Sequence, residues 1–182
     1  MGPGDGRSMG SPMSRKRAAN VELQEARAGD RPVLRRLMQL YLYDFAAIED
    51  WDLGADALYG DARRIEGFWR DPRRRSFLVR VDGTLAGFAI IREGAHFAGE
   101  GTREISEFFV LRRYRRRGVG EEVARAIFDA FPGRWEVAQT ARNVDAQAFW
   151  RRVLGRYTQN RCTEEARPDG QGVLQRFDNS AR

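Results

Sequence analysis

Residues 104–121 constrain the chain more than any other stretch. They read Glu-Ile-Ser-Glu-Phe-Phe-Val-Leu-Arg-Arg-Tyr-Arg-Arg-Arg-Gly-Val-Gly-Glu. An apolar strand runs into an arginine-dense turn that closes on Arg115-x-x-Gly118-x-Gly120, and a helical pattern follows at once. A strand, a basic glycine turn and a helix start bring unpaired backbone N–H groups, the positive helix end and arginines to one point. That combination suits phosphate, and the stretch reads as the seat of a pyrophosphate-bearing cofactor.

The remaining elements arrange themselves around this stretch. Alternation predicts a short strand over 21–26. Asp30 and Pro32 then mark a helix start, and apolar residues at three- and four-residue spacing carry the helix to about 48. A second short helix is expected over 62–69, stopped by Asp71-Pro72. Strands over 76–82 and 85–92 meet at Asp82-Gly83, a hairpin signal, and Gly87 inside the second points to a close backbone approach or a bulge. Residues 94–103 read as a loop. After the opening stretch come a helix ending at Pro132-Gly133, a strand over 134–139, and a helix over 143–154 ended by Gly155. A strand pair over 157–163 and 173–177 closes the chain. The order β-α-α-β-β-β-α-β-α-β-β implies an α+β fold around one mixed, mostly antiparallel twisted sheet flanked by helices.

With 182 residues, one domain with one sizeable core is the simplest expectation. It should span 20–178, between an N-terminal tail over 1–19, rich in Gly, Ser, Pro and Arg and read as disordered, and a short C-terminal tail over 179–182. No apolar run reaches membrane-spanning length, and the single cysteine, Cys162, suits a reducing cytoplasm. Neither Cys162 nor the lone His96 has neighbours in sequence that form a metal set, so no metal is expected. The net charge of +6 keeps a nucleic-acid reading open, but the positive charge peaks in one short turn. From 37 to 62 there is no Lys or Arg, while Asp44, Glu49, Asp50, Asp52, Asp56 and Asp61 fall there. The molecule reads as two-ended, an anion site facing an acidic region.

The motif Arg115-Arg116-Arg117-Gly118-Val119-Gly120 resembles the Gln/Arg-x-x-Gly-x-Gly/Ala signature of the GNAT superfamily of N-acetyltransferases, in a form of bacterial type. The run Asn143-Val144-Asp145-Ala146-Gln147-Ala148-Phe149-Trp150, continuing to Gly155, is similar to that family's Asn-x-x-Ala-x-x-Phe-Tyr-x-x-x-Gly-Phe block. The resemblance covers about residues 20–178. It implies a sheet splayed at the acyl-CoA site, and acetyl-CoA as the donor. It places the pyrophosphate against Arg115, Arg116, Arg117 and the Gly118, Val119, Gly120 and Glu121 backbone. The pantetheine arm falls along Phe108, Phe109 and Val110 and beside Asn143, with the Val110 N–H as oxyanion donor. As general base it implies a carboxylate on the central strands, Glu107 or Glu136. A half-buried glutamate is pushed toward that duty, although a carboxylate paired with an arginine is the alternative for each.

One position departs from the pattern. Trp150 stands where the family usually has the tyrosine that protonates the CoA sulfur, and an indole N–H is not a useful acid. Tyr114 and Tyr157 are the substitutes in sequence, but the first is expected to pack beside the turn and the second in the core. The resemblance puts the acceptor near the first two helices, where carboxylates interleave with Tyr41, Tyr43, Phe45, Trp51 and Tyr59. Such a surface suits a cationic amine of a small molecule or a peptide. Three functions remain open: an active N-acetyltransferase, a catalytically weak acyl-CoA-binding regulatory module, and an arginine-rich nucleic-acid-binding protein. A homodimer stays open as well; no membrane or nucleic-acid partner is expected.

Overall fold

The computed structural model describes residues 19–60 and 62–181, with no side-chain description over 62–65. All but the last residue of the expected N-terminal tail lies outside the described residues. Among the described residues, seven strands form one sheet: β1 (Val21–Glu25), β2 (Arg74–Val81), β3 (Thr84–Ala95), β4 (Gly99–Val110), β5 (Arg134–Thr140), β6 (Thr163–Ala166) and β7 (Gly172–Asp178). Four helices flank it: α1 (Arg31–Glu49), α2 (Ala62–Arg70), α3 (Val119–Ala130) and α4 (Val144–Thr158). The element order is the one the sequence implies. Spatially the strands run β1-β2-β3-β4-β5-β7-β6, with β4 and β5 the single parallel pair and the rest antiparallel.

Two apolar clusters cover the two faces. On one, α3 and α4 bury Val123, Ile127, Phe128, Trp150 and Leu154 against Ala89, Ile105, Val110 and Trp135. On the other, α1 buries Leu34, Leu37 and Met38 against Leu78, Phe88, Ile90 and Phe109. The helical spacing of Leu34, Leu37 and Met38 is what aims this stripe at the sheet. Asp30 does not cap α1 with its side chain; its carboxylate accepts the Arg27 N–H at 2.8 Å.

The Asp82-Gly83 turn has both residues at positive φ, 50° and 76°, as a two-residue hairpin requires. Gly87 is a site of close approach: an added Cβ would lie 2.0 Å from the Phe109 carbonyl oxygen. Three expectations need correction. Residues 94–103 are not an open loop but the far end of the β3–β4 hairpin: β3 runs to Ala95 with Gly94 at a register shift, the chain turns over 96–98, and β4 starts at Gly99. Helix α4 passes through Gly155 and stops only where Gln159 and Asn160 turn left-handed, so no strand forms over 157–163 and β6 starts at Thr163. Asn179 is no tail residue: it is buried, donating to the Phe128 carbonyl and the Tyr157 hydroxyl and accepting the Gly133 N–H.

Candidate active site

The site begins with a break in the sheet. β4 and β5 pair only over Thr102–Glu104 and Arg134–Glu136, and beyond that they part. Just past the break, Ile90 faces Glu107 while Ile91 faces Ile105, so Ser106 is an extra residue in β4. A bulge of this kind shifts the alternation of side chains by one. Ile105 packs with the α3–α4 cluster, whereas Phe109, two residues beyond Glu107, packs with α1. The bulge therefore turns Glu107 onto the α1 face.

The same strand sets its backbone groups. The Leu111 N–H donates to the Ala86 carbonyl at 2.8 Å. In an antiparallel ladder successive residues point alternately toward and away from the partner strand. Leu111 and Phe109 thus face β3, and the N–H groups of Phe108 and Val110 face the gap toward β5.

The chain leaves β4 through the basic turn. Arg116 and Gly118 take positive φ, 59° and 84°, and Gly118 caps α3. The first helical bond there is the Glu122 N–H to the Gly118 carbonyl at 3.0 Å, which leaves the N–H groups of Gly118 to Glu121 without an intrahelical acceptor. Gly120 has a further reason to be glycine: an added Cβ would meet the Phe149 ring at 3.1 Å. Arg115 is engaged elsewhere. Its Nε donates to the Val110 carbonyl at 2.7 Å, and its guanidinium bonds Asp44 of α1, which also binds Arg112 at 2.7 Å. Burial pushes the Asp44 carboxyl up, but the Arg115 and Arg112 bonds outweigh it and hold it below the usual carboxylate range.

A cleft of about 810 Å³ opens along this turn. Arg116, Gly118, Gly120 and Glu121 of the turn, Arg152 and Arg156 of α4, and Phe108, Phe109 and Val110 of β4 line it, and Arg156 pairs with Glu121 at 2.9 Å. Arg117 and Val119 are not in its lining, and Val119 is buried in the core. Arg152 and Arg156 escaped the sequence reading, although their i, i+4 spacing puts both on one face of α4. Asn143 lines the cleft too. Its Oδ1 accepts the Ala146 N–H at 3.1 Å and so caps α4.

A second cavity of about 700 Å³ adjoins it under α1. The two share Tyr41, Phe45, Phe108, Asn143, Ala146 and Trp150. Glu107 and Glu104 supply carboxylates to its wall, and Asp52, Trp51 and Tyr59 come from the acidic window. The Tyr41 phenol donates to Glu107; burial first, and then the Glu107 charge and this bond, hold its pKa well above the usual value. Arg74 lies beside Glu104 and Glu107, and its guanidinium bonds Ser106 at the bulge. Other acids of the window are occupied: Glu49 accepts from Thr140 of β5, and Asp56 accepts the Leu58 N–H at 3.2 Å. Asp61 lies outside the described residues.

Glu136 is placed differently from Glu107. It is 1% exposed, accepts the Phe97 N–H at 3.0 Å and pairs with Arg176 at 3.2 Å, and it is absent from both cavity walls. Tyr114 is buried in the core. Tyr157 bonds Asp129 and Asn179 in a buried network. Trp150 is buried against Phe108 and Phe149, with ring centroids 5.1 and 5.0 Å away.

Comparison of the sequence with protein families matches residues 35–155 to the acetyltransferase (GNAT) family. The chain belongs to that family. Its α+β fold with a splayed sheet is the GNAT fold, and the protein is an N-acetyltransferase with acetyl-CoA as donor. Curated protein sequences give no match. Among solved structures, an acetyltransferase from Thermus thermophilus is 16% identical at a TM-score of 0.67, over 88% of this chain and 98% of that one. RimL, a ribosomal L7/L12 α-N-protein acetyltransferase in complex with coenzyme A, is 13% identical at a TM-score of 0.58, over 89% and 96%. AAC(6')-Iy, in complex with a CoA bisubstrate analogue, is 16% identical at 0.51, over 74% and 88%. At these identities the likeness speaks for the fold alone. Among the described residues of this GNAT chain, no helix is long and apolar enough to cross a membrane.

The cleft fits the GNAT donor. Its turn offers helix-start N–H groups beside a left-handed glycine, and its inner strand presents unpaired ladder positions to the gap.

Proposed function

We propose that the protein acetylates the primary amine of a cationic small molecule or peptide, with Glu107 as general base. The observation that carries this reading is the Ser106 bulge, which sets Glu107 in the cavity under α1, one residue from Phe108 at the wall shared with the donor cleft. Acetyl-CoA supplies a thioester carbonyl as acetyl donor. The N–H groups of Gly118 to Glu121, with Arg116, Arg152 and Arg156, would hold its phosphates. The Phe108 and Val110 backbone and Asn143 would hold the pantetheine arm, and the Val110 N–H would stabilise charge on the thioester oxygen. Glu107 takes a proton from the incoming ammonium, directly or through water, and Tyr41 holds its carboxylate in place. Glu136 we assign to the fold, because it is buried and the Arg176 guanidinium and the Phe97 N–H occupy it.

Glu104, Glu107 and Asp52, with Trp51 and Tyr59, support a cationic acceptor in the adjoining cavity. A cytoplasmic setting suits the donor and the single cysteine. A second reading, a catalytically weak acyl-CoA-binding module, draws on Trp150, which is buried among aromatic rings and carries no acidic hydrogen. A screen of amines at fixed acetyl-CoA, read as free CoA thiol, separates the two. Acceptor-dependent release from cationic amines is the expected result. Saturable acetyl-CoA binding with no release from any amine favours the module, and release from neutral or acidic amino compounds alone overturns the cationic acceptor.

A further inference from the structure

The sheet register places two arginines side by side. Arg74 of β2 faces Arg92 of β3, and Arg92 faces Glu104 of β4; in the next row Ser76, Ile90 and Glu107 follow in the same order. Their spacing from Leu78 and Ile90 puts both arginines on the face that packs against α1. Like charges opposite one another repel, so such a pair stands only where carboxylates offset it. Arg92 has its partners in Asp71 at 3.5 Å and Glu104 at 3.8 Å. Arg74 is held differently. Its guanidinium donates to the Ser106 hydroxyl at the bulge, lies 4.4 Å over the Phe68 ring and reaches Asp71 only at 3.6 Å. Asp71 is itself bonded by Arg73 at 3.0 Å. Burial pushes the Arg74 pKa down and Arg92 adds to that, while the charges of Glu104, Glu107 and Asp71 oppose it. A third cavity, of about 290 Å³, opens where these groups meet, lined by Phe68, Asp71, Arg74, Ser106 and Glu107. Glu107 therefore borders two spaces, and Arg74 lines the smaller one and not the acceptor cavity.

We infer that Arg74 is the positioning residue for Glu107: fixed by Ser106 and Phe68, its guanidinium keeps the carboxylate ionised from outside the acceptor cavity. The inference rests on the reading of Glu107 as general base. Burial and a neighbouring carboxylate such as Glu104 both favour a protonated glutamate, which cannot take a proton; a cation close by favours the ionised one. A cation inside the acceptor cavity would repel an incoming ammonium, and Arg74 leaves that space to the substrate. The other ionisable groups about Glu107 do not take this role. Tyr41 donates a hydrogen bond and carries no charge, and Asp52 and Tyr59 offer no cation. Glu104 accepts the His96 N–H at 2.7 Å, and the His96 ring is exposed in the β3–β4 turn against Phe97. Arg92 is committed to Asp71 and Glu104, and Arg167 to Asp169.

The test follows kcat/KM against pH at saturating acetyl-CoA, with the amine that gives the fastest CoA release in the acceptor screen. The acidic limb that belongs to Glu107 is the one Glu107→Gln removes. Without the cation the carboxylate ionises only at higher pH, so Arg74→Met should move that limb up by about one pH unit, a loss of roughly 10-fold on its falling side and little on the plateau above. Arg74→Lys should return the limb toward its wild-type position. Placed on Glu107→Gln, Arg74→Met should change the rate no further, because the two act as a unit. Acetyl-CoA affinity should be the same throughout. Ser106→Ala frees the guanidinium without removing a charge and should move the limb the same way by less; it decides the matter if Arg74→Met does not fold, and an unmoved limb there overturns the inference. So does an unmoved limb in folded Arg74→Met, or a loss equal at every pH that Arg74→Lys does not repair, the mark of a structural arginine. If Glu107→Gln leaves rate and limb unchanged, the base reading falls and takes this inference with it. If Glu107→Gln removes the limb and Arg74→Met leaves it in place, this inference falls alone.

Discussion

The donor cleft and the acceptor cavity share a wall but are built from different materials. The cleft relies on backbone: helix-start N–H groups, a left-handed glycine, and strand positions turned to the gap by ladder geometry. Those backbone groups come from one continuous stretch, 108–121. The cavity relies on side chains from α1, the loop that follows it, the β3–β4 turn, β4, β5 and the β6–β7 loop. Backbone recognition is insensitive to most substitutions, so the donor side is free to keep one geometry while surrounding residues change. Side-chain recognition changes with each residue, so on the proposed reading the acceptor side is where specificity would reside.

That contrast can be broken most sharply at Glu107. Glu107→Gln should lower kcat/KM by about 10²- to 10⁴-fold, the usual contribution of a general base, without altering acetyl-CoA affinity in a binding titration. An unchanged rate and pH profile would remove Glu107 from catalysis. The reverse signature is expected at Gly118. Valine cannot hold φ near 84° without strain of about 1–2 kcal/mol or more, so Gly118→Val should raise the acetyl-CoA KM by about 10-fold or more and leave acceptor preference intact. Trp150 lies in the shared wall. Trp150→Tyr should raise kcat, by less than either loss above, if protonation of the thiolate limits turnover; an unchanged kcat would show that step is not limiting.

Asp44 joins the two regions, since α1 carries it from the acceptor side to Arg115 and Arg112 of the donor turn. Its depressed pKa means the stabilisation is present above the ordinary carboxylate range and is lost as pH falls through the lower folded value. With both arginines partly exposed, the pair is worth about 1 kcal/mol or less. Asp44→Asn should lower the melting temperature by about 2–4 °C at neutral pH, and the gap should close in strong acid. A gap that persists there would assign the loss to packing.

Legibility in the sequence follows the same division. Gly118, Asn143 and the element order were readable because each depends on residues close in the chain. Ser106 was not: a bulge is fixed by the partner strand, and the only local trace is a serine in the Glu-Ile-Ser-Glu run. A mid-helix glycine and a stopping glycine look alike in sequence, so Gly155 reads as the end of α4, whereas the stop lies at Gln159 and Asn160. The tie from Arg115 to Asp44 spans 71 residues. Glu107 and Glu136 both stand on central strands in the sequence, and their three-dimensional neighbours separate them.

The alternation along the inner end of β4 also gives the protein a built-in reporter of donor occupancy. Amide hydrogen exchange should be slow at Phe109 and Leu111, whose N–H groups are tied to β3, and fast at Phe108 and Val110, which face the gap. Addition of acetyl-CoA should slow the second pair and leave the first unchanged. Every other residue of one strand would then register the ligand, with no label and no turnover.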